Sequence, residues 1–485
     1  MGVVLKQSLK NVFTTYLGFL FGAVNTIFLY TQILPDAYYG LVTFILASAA
    51  ILMPLMAFGV HNTMVKFYSN YARSEQEGFL FLMLVIPLLG ILPMFLFFAF
   101  FQDLLGDLVS TINPVVRNYL WYVFLVGFAM AYFEVYYAWC KVHLKSVFGN
   151  FMKEVFGRLG VMLLLLFLYL DLFSLDVFFK LLVGLYVLRT IIIKLYAFRI
   201  SRPKLRYVVP GNIREVLSYS LLIILGGSAA SIIVEIDKVM INQFVKIENV
   251  AYYGVAVYIA TVIIVPSRAM HQITYPLTAE LLNRGDFFGL ETLYKKTSLT
   301  LFIASGILFL LILLNLEDLY LLLPETYRDG FYIVFLIGMA KVFDSLLGNN
   351  NSILYNSKYY TTILLFGVGL AALTIVLNLF LIPAYGLEGA ALASFISICI
   401  FNVIKLVFVK LKFGILPFTK STFKVFATLL LLAVLFSVFT FDFHPVLNIL
   451  FKSTIIVVMY LGILYRFEIS EDISGILSTW LKKRE

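Results

Sequence analysis

The sequence predicts an all-α polytopic membrane protein of about 14 transmembrane helices, built as two six-helix lobes with two helices appended at the C-terminal end. Three observations carry that expectation. Of 485 residues, 62% are hydrophobic and only 13% charged, with a mean hydropathy of +0.98, a composition too apolar for a chain folded in water. Apolar runs of roughly 20 residues, the length that spans the hydrocarbon as a helix, recur along nearly the whole chain. The tetrapeptide AYYG occurs at Ala37–Gly40 and returns about 214 residues later at Ala251–Gly254, on the scale of half the protein.

The runs centre, in order, near Phe21, Leu52, Leu89, Gly127, Leu164, Tyr186, Ala229, Ala260, Ile307, Ala340, Ala371, Ser397, Leu431 and Val457. The start, MGVVLKQSLKN, carries two lysines before the first run and has no A-x-A cleavage site behind it, so it reads as an uncleaved first helix with its N-terminus in the cytoplasm. Lys and Arg accumulate in cytoplasmic loops. The even connections hold Lys66 and Arg73; Lys141, Lys145, Lys153 and Arg158; Arg199, Arg202, Lys204, Arg206 and Arg214; and Arg284, Lys295 and Lys296. The odd connections are mainly acidic: Asp36, Asp103, Asp107, Asp171, Asp176, Glu317, Asp318, Glu325 and Asp329, against Arg117, Lys246 and Arg328. This bias predicts an even helix number with both termini cytoplasmic. It also makes the formal charge of +9 a topology signal; a nucleic-acid partner would need a basic folded domain, and the sequence shows none.

Trp121 and Trp139 lie roughly 27 Å apart at helical rise and are expected to bracket the fourth helix as interfacial aromatics. Cys140 and Cys399 read as packing residues, without support for disulfide or metal chemistry.

The internal repeat has further members. VFLVG at Val123–Gly127 returns as VFLIG at Val334–Gly338, and Pro54 in ILMPLMA matches Pro266 in IIVPSRA, each proline shortly after its AYYG. A proline frees a helical carbonyl, which a bilayer tolerates where protein or a wet cavity satisfies it, so Pro54 and Pro266 are candidate hinges. Six helices separate the copies. An even number gives both halves one orientation and a pseudo-twofold along the membrane normal. The expected lobes are residues 1–210 and 211–414, joined by RISRPKLRYVVPGNIRE, followed by two helices and a tail over 415–485. The tail, EISEDISGILSTWLKKRE, reads either as a surface helix or as a polar tail.

Four stretches in order resemble one group: LPDAYYGLVTFILASAAILMPLMAFGV, VEIDKVMINQFVKIENVAYYGVAVYIA, LLPETYRDGFYIVFLIG and LIPAYGLEGAALAS. They are similar to the polysaccharide-flippase branch of the multidrug/oligosaccharidyl-lipid/polysaccharide exporter superfamily, over nearly the whole chain. The resemblance implies export of undecaprenyl-pyrophosphate-linked oligosaccharide repeat units, of O-antigen or capsule, across the bacterial inner membrane by alternating access. The implied partners are that lipid-linked cargo, membrane lipids and other polysaccharide-assembly proteins. The lipid II flippases carry arginines on the first helix, whereas this first helix offers Thr14, Thr15 and Asn25 and no charge. Peptidoglycan-precursor export is correspondingly disfavoured.

A pyrophosphate and a glycan cannot cross roughly 30 Å of hydrocarbon unaided, so charges within the spans are the candidate site. Lys341 and Asp344, at i and i+3 of the tenth helix, read as a cargo contact with its acid or as a self-neutralised pair, and GNNN below them as a cavity wall. Arg268 and His271 follow the Pro266 break; Arg268 either meets substrate or snorkels to the interface. Arg189 of the sixth helix and Glu134 of the fourth face either the cavity or each other; Asn25 and Arg189 join the candidate substrate set, and Glu134 and Asp344 the coupling or gating acids. Asp237 in EIDKVMI reads as a third such carboxylate or as a partner for Lys238 or Lys246.

No GxxxxGK[ST] loop, metal-ligand cluster or nucleophile elbow is present, so the reading has no cofactor, no metal and no catalytic residue: a secondary transporter driven by membrane potential or a proton or sodium gradient, not an enzyme. Two rivals stand beside it. A multidrug exporter of the same superfamily would share the topology but want an acidic cavity. An O-antigen polymerase or ligase would need a catalytic outer loop longer than QDLLGDLVSTINPVVRN.

Overall fold

A backbone surrounded by lipid must satisfy its own hydrogen bonds, and helices do so within one segment. The computed structural model describes residues 2–202, 211–439 and 443–470, and every regular element among them is helical. Among the described residues, eleven helices are long and apolar enough to cross a membrane. They include α1 (Lys10–Ile33), α2 (Asp36–Met56), α3 (Glu75–Phe100) and α4 (Pro114–Val142). Next, α5 (Gly157–Tyr169) continues from a short helix, Ser146–Phe151, through a π-helical turn, Met152–Phe156. There follow α6 (Leu175–Ile200), α7 (Ile213–Phe244), α8 (Glu248–Arg284) and α9 (Phe287–Leu314). The 16-residue α10 (Phe331–Leu346) precedes a 54-residue run, Tyr360–Phe413. That run breaks at Gly386, whose φ of 58° and ψ of −131° suit only glycine, into α11 (360–385) and α12 (387–413). The last two are α13 (Lys420–Ser437) and α14 (Pro445–Arg466). With the Gly386 break, the charge-bearing α5 and the short α10 counted as well, the eleven become about fourteen, as the apolar runs predict. The expected surface helix of the tail falls on residues 471–485, outside the described residues.

The chain forms two compact units, Met1–Gly254 with Gly367–Ala390, and Val255–Phe366 with Ala391–Glu485. Compactness therefore groups α7 with the first six helices, whereas the repeat order begins the second lobe at residue 211. The first unit is centred on α4, where Phe133 and Trp139 are buried with Phe67 and Phe79. Trp139 is fully enclosed, at 0% exposure, so it is a core residue and not the interfacial aromatic expected from spacing; Trp121 is half-buried. In the second unit α9 packs on the appended helices, with Phe302, Ile303 and Leu310 against Val425, Leu432, Ile456 and Tyr460. Lipid tails are as apolar as these side chains, so close packing rather than water exclusion holds such seams.

The two AYYG copies explain themselves by meeting. A Cβ on Gly40 would lie 2.0 Å from the Ile247 carbonyl oxygen, so only glycine admits the crossing, and a Cβ on Gly254 would sit 3.3 Å from Thr43 Cγ2. Tyr252 donates to Asp36 Oδ2 at 2.8 Å and ties one copy to the other. In each copy the second tyrosine reaches back to the preceding helix: Tyr39 donates to the Thr26 carbonyl at 3.1 Å, and Tyr253 to Asp237 Oδ2 at 2.5 Å. The helices that follow both break near their prolines. Past Pro54, α2 ends at Met56, and Phe58 and Gly59 turn with positive φ into the helix Val60–Phe67. In α8 a 3₁₀ turn, Val262–Ile264, interrupts the helix and Pro266 stands in the first turn after it.

Candidate functional site

Charges inside the first unit gather where α1, α4, α5 and α6 approach. Glu134 of α4 is buried and accepts from Lys153 Nζ at 2.5 Å. One residue on, Glu154 pairs with Arg158 Nη1 at 3.4 Å. The π-helical turn Met152–Phe156 inserts an extra residue into this helix and leaves Lys153 and Arg158 anchored by acids on different helices. Asn25 is buried in a π-helical stretch of α1, Val24–Leu29, and donates to the Arg158 carbonyl at 2.7 Å. Arg189 of α6 is buried with its guanidinium over the rings of Phe133, at 4.3 Å, and Tyr186, at 4.8 Å. Its Nε has no hydrogen-bond partner, and its Nη1 lies 3.7 Å from where a Cβ on Gly157 would be. Lys153, Arg158 and Arg189 thus outnumber the two carboxylates, Lys141 lies within electrostatic reach of Glu134 as a further cation, and Lys153 keeps 43% of its side chain exposed. Stacked on aromatic faces, with Glu134 and Glu154 within electrostatic reach, Arg189 keeps a planar fork suited to phosphate.

The expected residues Asn25, Glu134 and Arg189 are therefore neighbours, and Lys153, Glu154 and Arg158 complete the group. Sequence reading places Lys153 and Arg158 in a cytoplasmic connection; the structure places both within the helix that becomes α5. The signal was their spacing: charged pairs Lys153–Glu154 and Arg158 stand amid apolar residues rather than among turn formers.

The second unit holds a different arrangement. Lys405 of α12 is 2% exposed and donates to Asp344 Oδ1 at 3.2 Å and Asn351 Oδ1 at 3.1 Å, with its Nζ 4.8 Å from the Phe401 ring centre. Asp344 is thus anchored across the unit by Lys405, which the i, i+3 reading of Lys341 and Asp344 did not anticipate. Lys341 and the half-buried His271 lie within electrostatic reach of the same carboxylate. Two asparagines of the GNNN run are packing residues rather than a wet wall: Asn349 bonds Thr278 and Thr297, and Asn350 bonds Tyr294 Oη at 2.7 Å, all buried. Only Asn351 faces the charges. Arg268 stands exposed on α8, one turn ahead of His271.

Asp237 is set apart from both clusters. It is 4% exposed and accepts from Tyr253 Oη at 2.5 Å and from Asn378 Nδ2 of α11 at 2.7 Å. Lys238, the expected interface partner, instead pairs with Glu235 at 2.6 Å. Among the described residues no group of His, Cys, Asp and Glu could hold a metal ion, and Cys140 and Cys399 are free thiols.

Residues 4–282 match the family model described as polysaccharide biosynthesis protein. No curated protein matches the chain significantly in sequence. The fold is similar to that of a lipid II flippase, MurJ, in an inward closed conformation, with a TM-score of 0.73 at 13% identity, covering 96% of this chain and 100% of that one. It is similar as well to an inward-facing multidrug resistance MATE transporter, with a TM-score of 0.65 at 13% identity over 84% and 98% of the two chains. A transporter of the same superfamily from Pyrococcus furiosus, for which reverse polarity of the binding pocket suggests a different function, gives a TM-score of 0.60 at 13% identity over 86% and 96%.

Proposed function

From a chain that belongs to the polysaccharide biosynthesis protein family and has the fold of flippases and exporters, we propose a flippase for undecaprenyl-pyrophosphate-linked oligosaccharide repeat units in the bacterial inner membrane. It works by alternating access of lobes at 1–210 and 211–414, has both termini cytoplasmic, and carries out no covalent chemistry. The observation that carries the reading is the cation surplus of the first unit, where Lys153, Arg158 and Arg189 exceed Glu134 and Glu154. A pyrophosphate brings negative charge into a low-dielectric setting and needs such donors, and Arg189 offers a planar fork stacked on aromatic rings. An exporter of organic cations would place the surplus on the acid side. Asn25, Arg268, His271 and Lys341 add polar and cationic contacts, Asp237, Asp344 and Glu134 are the coupling acids, and Pro54 and Pro266 the hinges.

The test is flipping of a fluorescent lipid-linked oligosaccharide in proteoliposomes. Wild type flips it, and Arg189→Ala slows flipping at least about tenfold while thermal stability in detergent holds within a few degrees. Undiminished flipping by Arg189→Ala overturns its role. Export of organic cations without flipping of the lipid-linked glycan overturns the whole assignment.

A further inference from the structure

We propose that the cavity between the helix Gln102–Val109 and the start of α4 is a carbohydrate subsite that takes one neutral, hydroxyl-rich sugar ring. The cavity measures about 250 Å³ and is lined by Gln102, Asp103, Arg117, Asn118 and Trp121. Pockets for small ligands run from about 300 to 1,000 Å³, so this one suits a single ring rather than an oligosaccharide.

Its chemistry is that of sugar recognition. A pyranose presents an apolar C–H face and an edge of hydroxyls that each donate and accept. An aromatic ring suits the face; carboxylates, amides and a guanidinium suit the edge. All are present here. Arg117 is held in a fork, Nη1 to Asp107 Oδ1 at 2.7 Å and Nη2 to Asp103 Oδ1 at 3.1 Å. A Cβ on Gly106 would come within 3.1 Å of Arg117 Cγ and Nε, so the glycine lets the arginine lie across the helix. Trp121 donates from Nε1 to Gln102 Oε1 at 3.4 Å, and its ring is braced by Phe95 and Phe124 at 5.8 and 5.7 Å between centroids. Asn118 is exposed at the rim, its amide available for a hydroxyl.

Charge sets the selectivity. Asp103 and Asp107 against Arg117 leave −1, and the guanidinium is already engaged, so an acidic sugar meets net repulsion whereas a neutral one finds acceptors. Placement fits a lipid-borne glycan: Leu104 and Leu108 on the same short helix are 53% and 58% exposed and seat it at the lipid boundary. The inference rests on the flippase reading in one respect, that the connection between α3 and α4 is the outer side, where an exported glycan emerges.

The test uses the full chain in detergent with free methyl glycosides, so it needs no transport. Of three tryptophans, Trp480 is replaced by phenylalanine and Trp139 is enclosed, leaving Trp121 as the reporting fluorophore. Methyl glycosides of galactose and N-acetylglucosamine give a saturable emission change, methyl glucuronide binds about tenfold more weakly, Arg117→Ala weakens the neutral sugars about tenfold, and Asn118→Ala does so several-fold. No saturable response, equal affinity for the glucuronide, or unaltered affinity in both Arg117→Ala and Asn118→Ala overturns the subsite. Because Asn118 is exposed, its variant keeps the test valid if Arg117→Ala fails to fold. Sugar binding that persists in a chain unable to flip lipid-linked glycan overturns the flippase reading and leaves the subsite standing; flipping without sugar binding does the reverse.

Discussion

The first unit's charge cluster has more cations than acids and keeps Lys153 partly exposed, while the second unit encloses Lys405 completely and spends it on Asp344 and Asn351. The same residue types serve opposite ends. A cation within the spans is tolerated when paired, and Lys405 is paired twice over, so its contribution goes into fixing α12 against α10. Arg189 is tolerated by aromatic stacking together with the field of Glu134 and Glu154, which it shares with Lys153 and Arg158. A surplus left open in this way is what an anionic ligand can use; a closed ion pair is what a conformational latch can use.

The contrast breaks most sharply at Lys405. Replacing it with methionine takes the hydrogen-bonded cation from the Asp344 carboxylate and the donor from Asn351, leaving Lys341 as the nearby cation, and removal of one partner from a buried pair costs up to about 3–5 kcal/mol. We expect Lys405→Met to unfold far below wild type in detergent and Lys405→Met/Asp344→Asn to recover most of the loss, because the stranded charge is gone. If the single variant is as stable as wild type, the latch is not a latch. A stable double variant that also flips normally makes the pair purely structural and removes Asp344 from the coupling acids.

A smaller effect is expected at Lys341, which stands near the latch but not at its centre. Lys341→Met should slow flipping several-fold and leave stability nearly unchanged, since Lys405 continues to hold Asp344. Wild-type flipping rates would assign Lys341 to structure alone and leave the first unit as the sole anion site; a collapse in stability would make it a second member of the latch.

The helix series was legible in the sequence because hydropathy and length act on each segment separately. What the sequence hid depends on segments far apart. Lys405 sits five residues before Lys410 in FNVIKLVFVK and looks like part of a basic helix end until α12 is seen to face Asp344. Lys153 and Arg158 lower the local hydropathy enough to pass for a loop, and the π-helical turn that aims them breaks the ordinary helical period. Trp139 followed the spacing of an interfacial residue but is enclosed by neighbours no spacing rule contains. Asp237 stands out in the sequence as a charge within a span, while its donors Tyr253 and Asn378 do not, although Tyr253 lies within the AYYG repeat. The repeat itself was legible as symmetry; that its two copies touch, with Gly40 under Ile247, was not, since contact between equivalent segments is a tertiary fact.

The gentlest perturbation is Glu134→Gln. Glu134 is the acid that holds Lys153, and glutamine keeps its shape and one carbonyl acceptor while removing its charge, so the Lys153 ammonium keeps a hydrogen bond to an amide oxygen and the cluster gains one net positive charge. The loss of the ion-pair attraction costs about 1 kcal/mol of stability, partly relieved because Lys153 is 43% exposed and can turn to water. An extra positive charge facing a pyrophosphate strengthens its binding, and a cargo held more tightly in one state leaves more slowly. Glu134→Gln should therefore compete better for a lipid pyrophosphate in a binding assay, by a few-fold, and turn over more slowly in proteoliposomes. In the second unit the matching change, Asp344→Asn, should alter stability and leave pyrophosphate affinity alone. Should Asp344→Asn tighten pyrophosphate binding and Glu134→Gln not, the two units have been assigned the wrong way round.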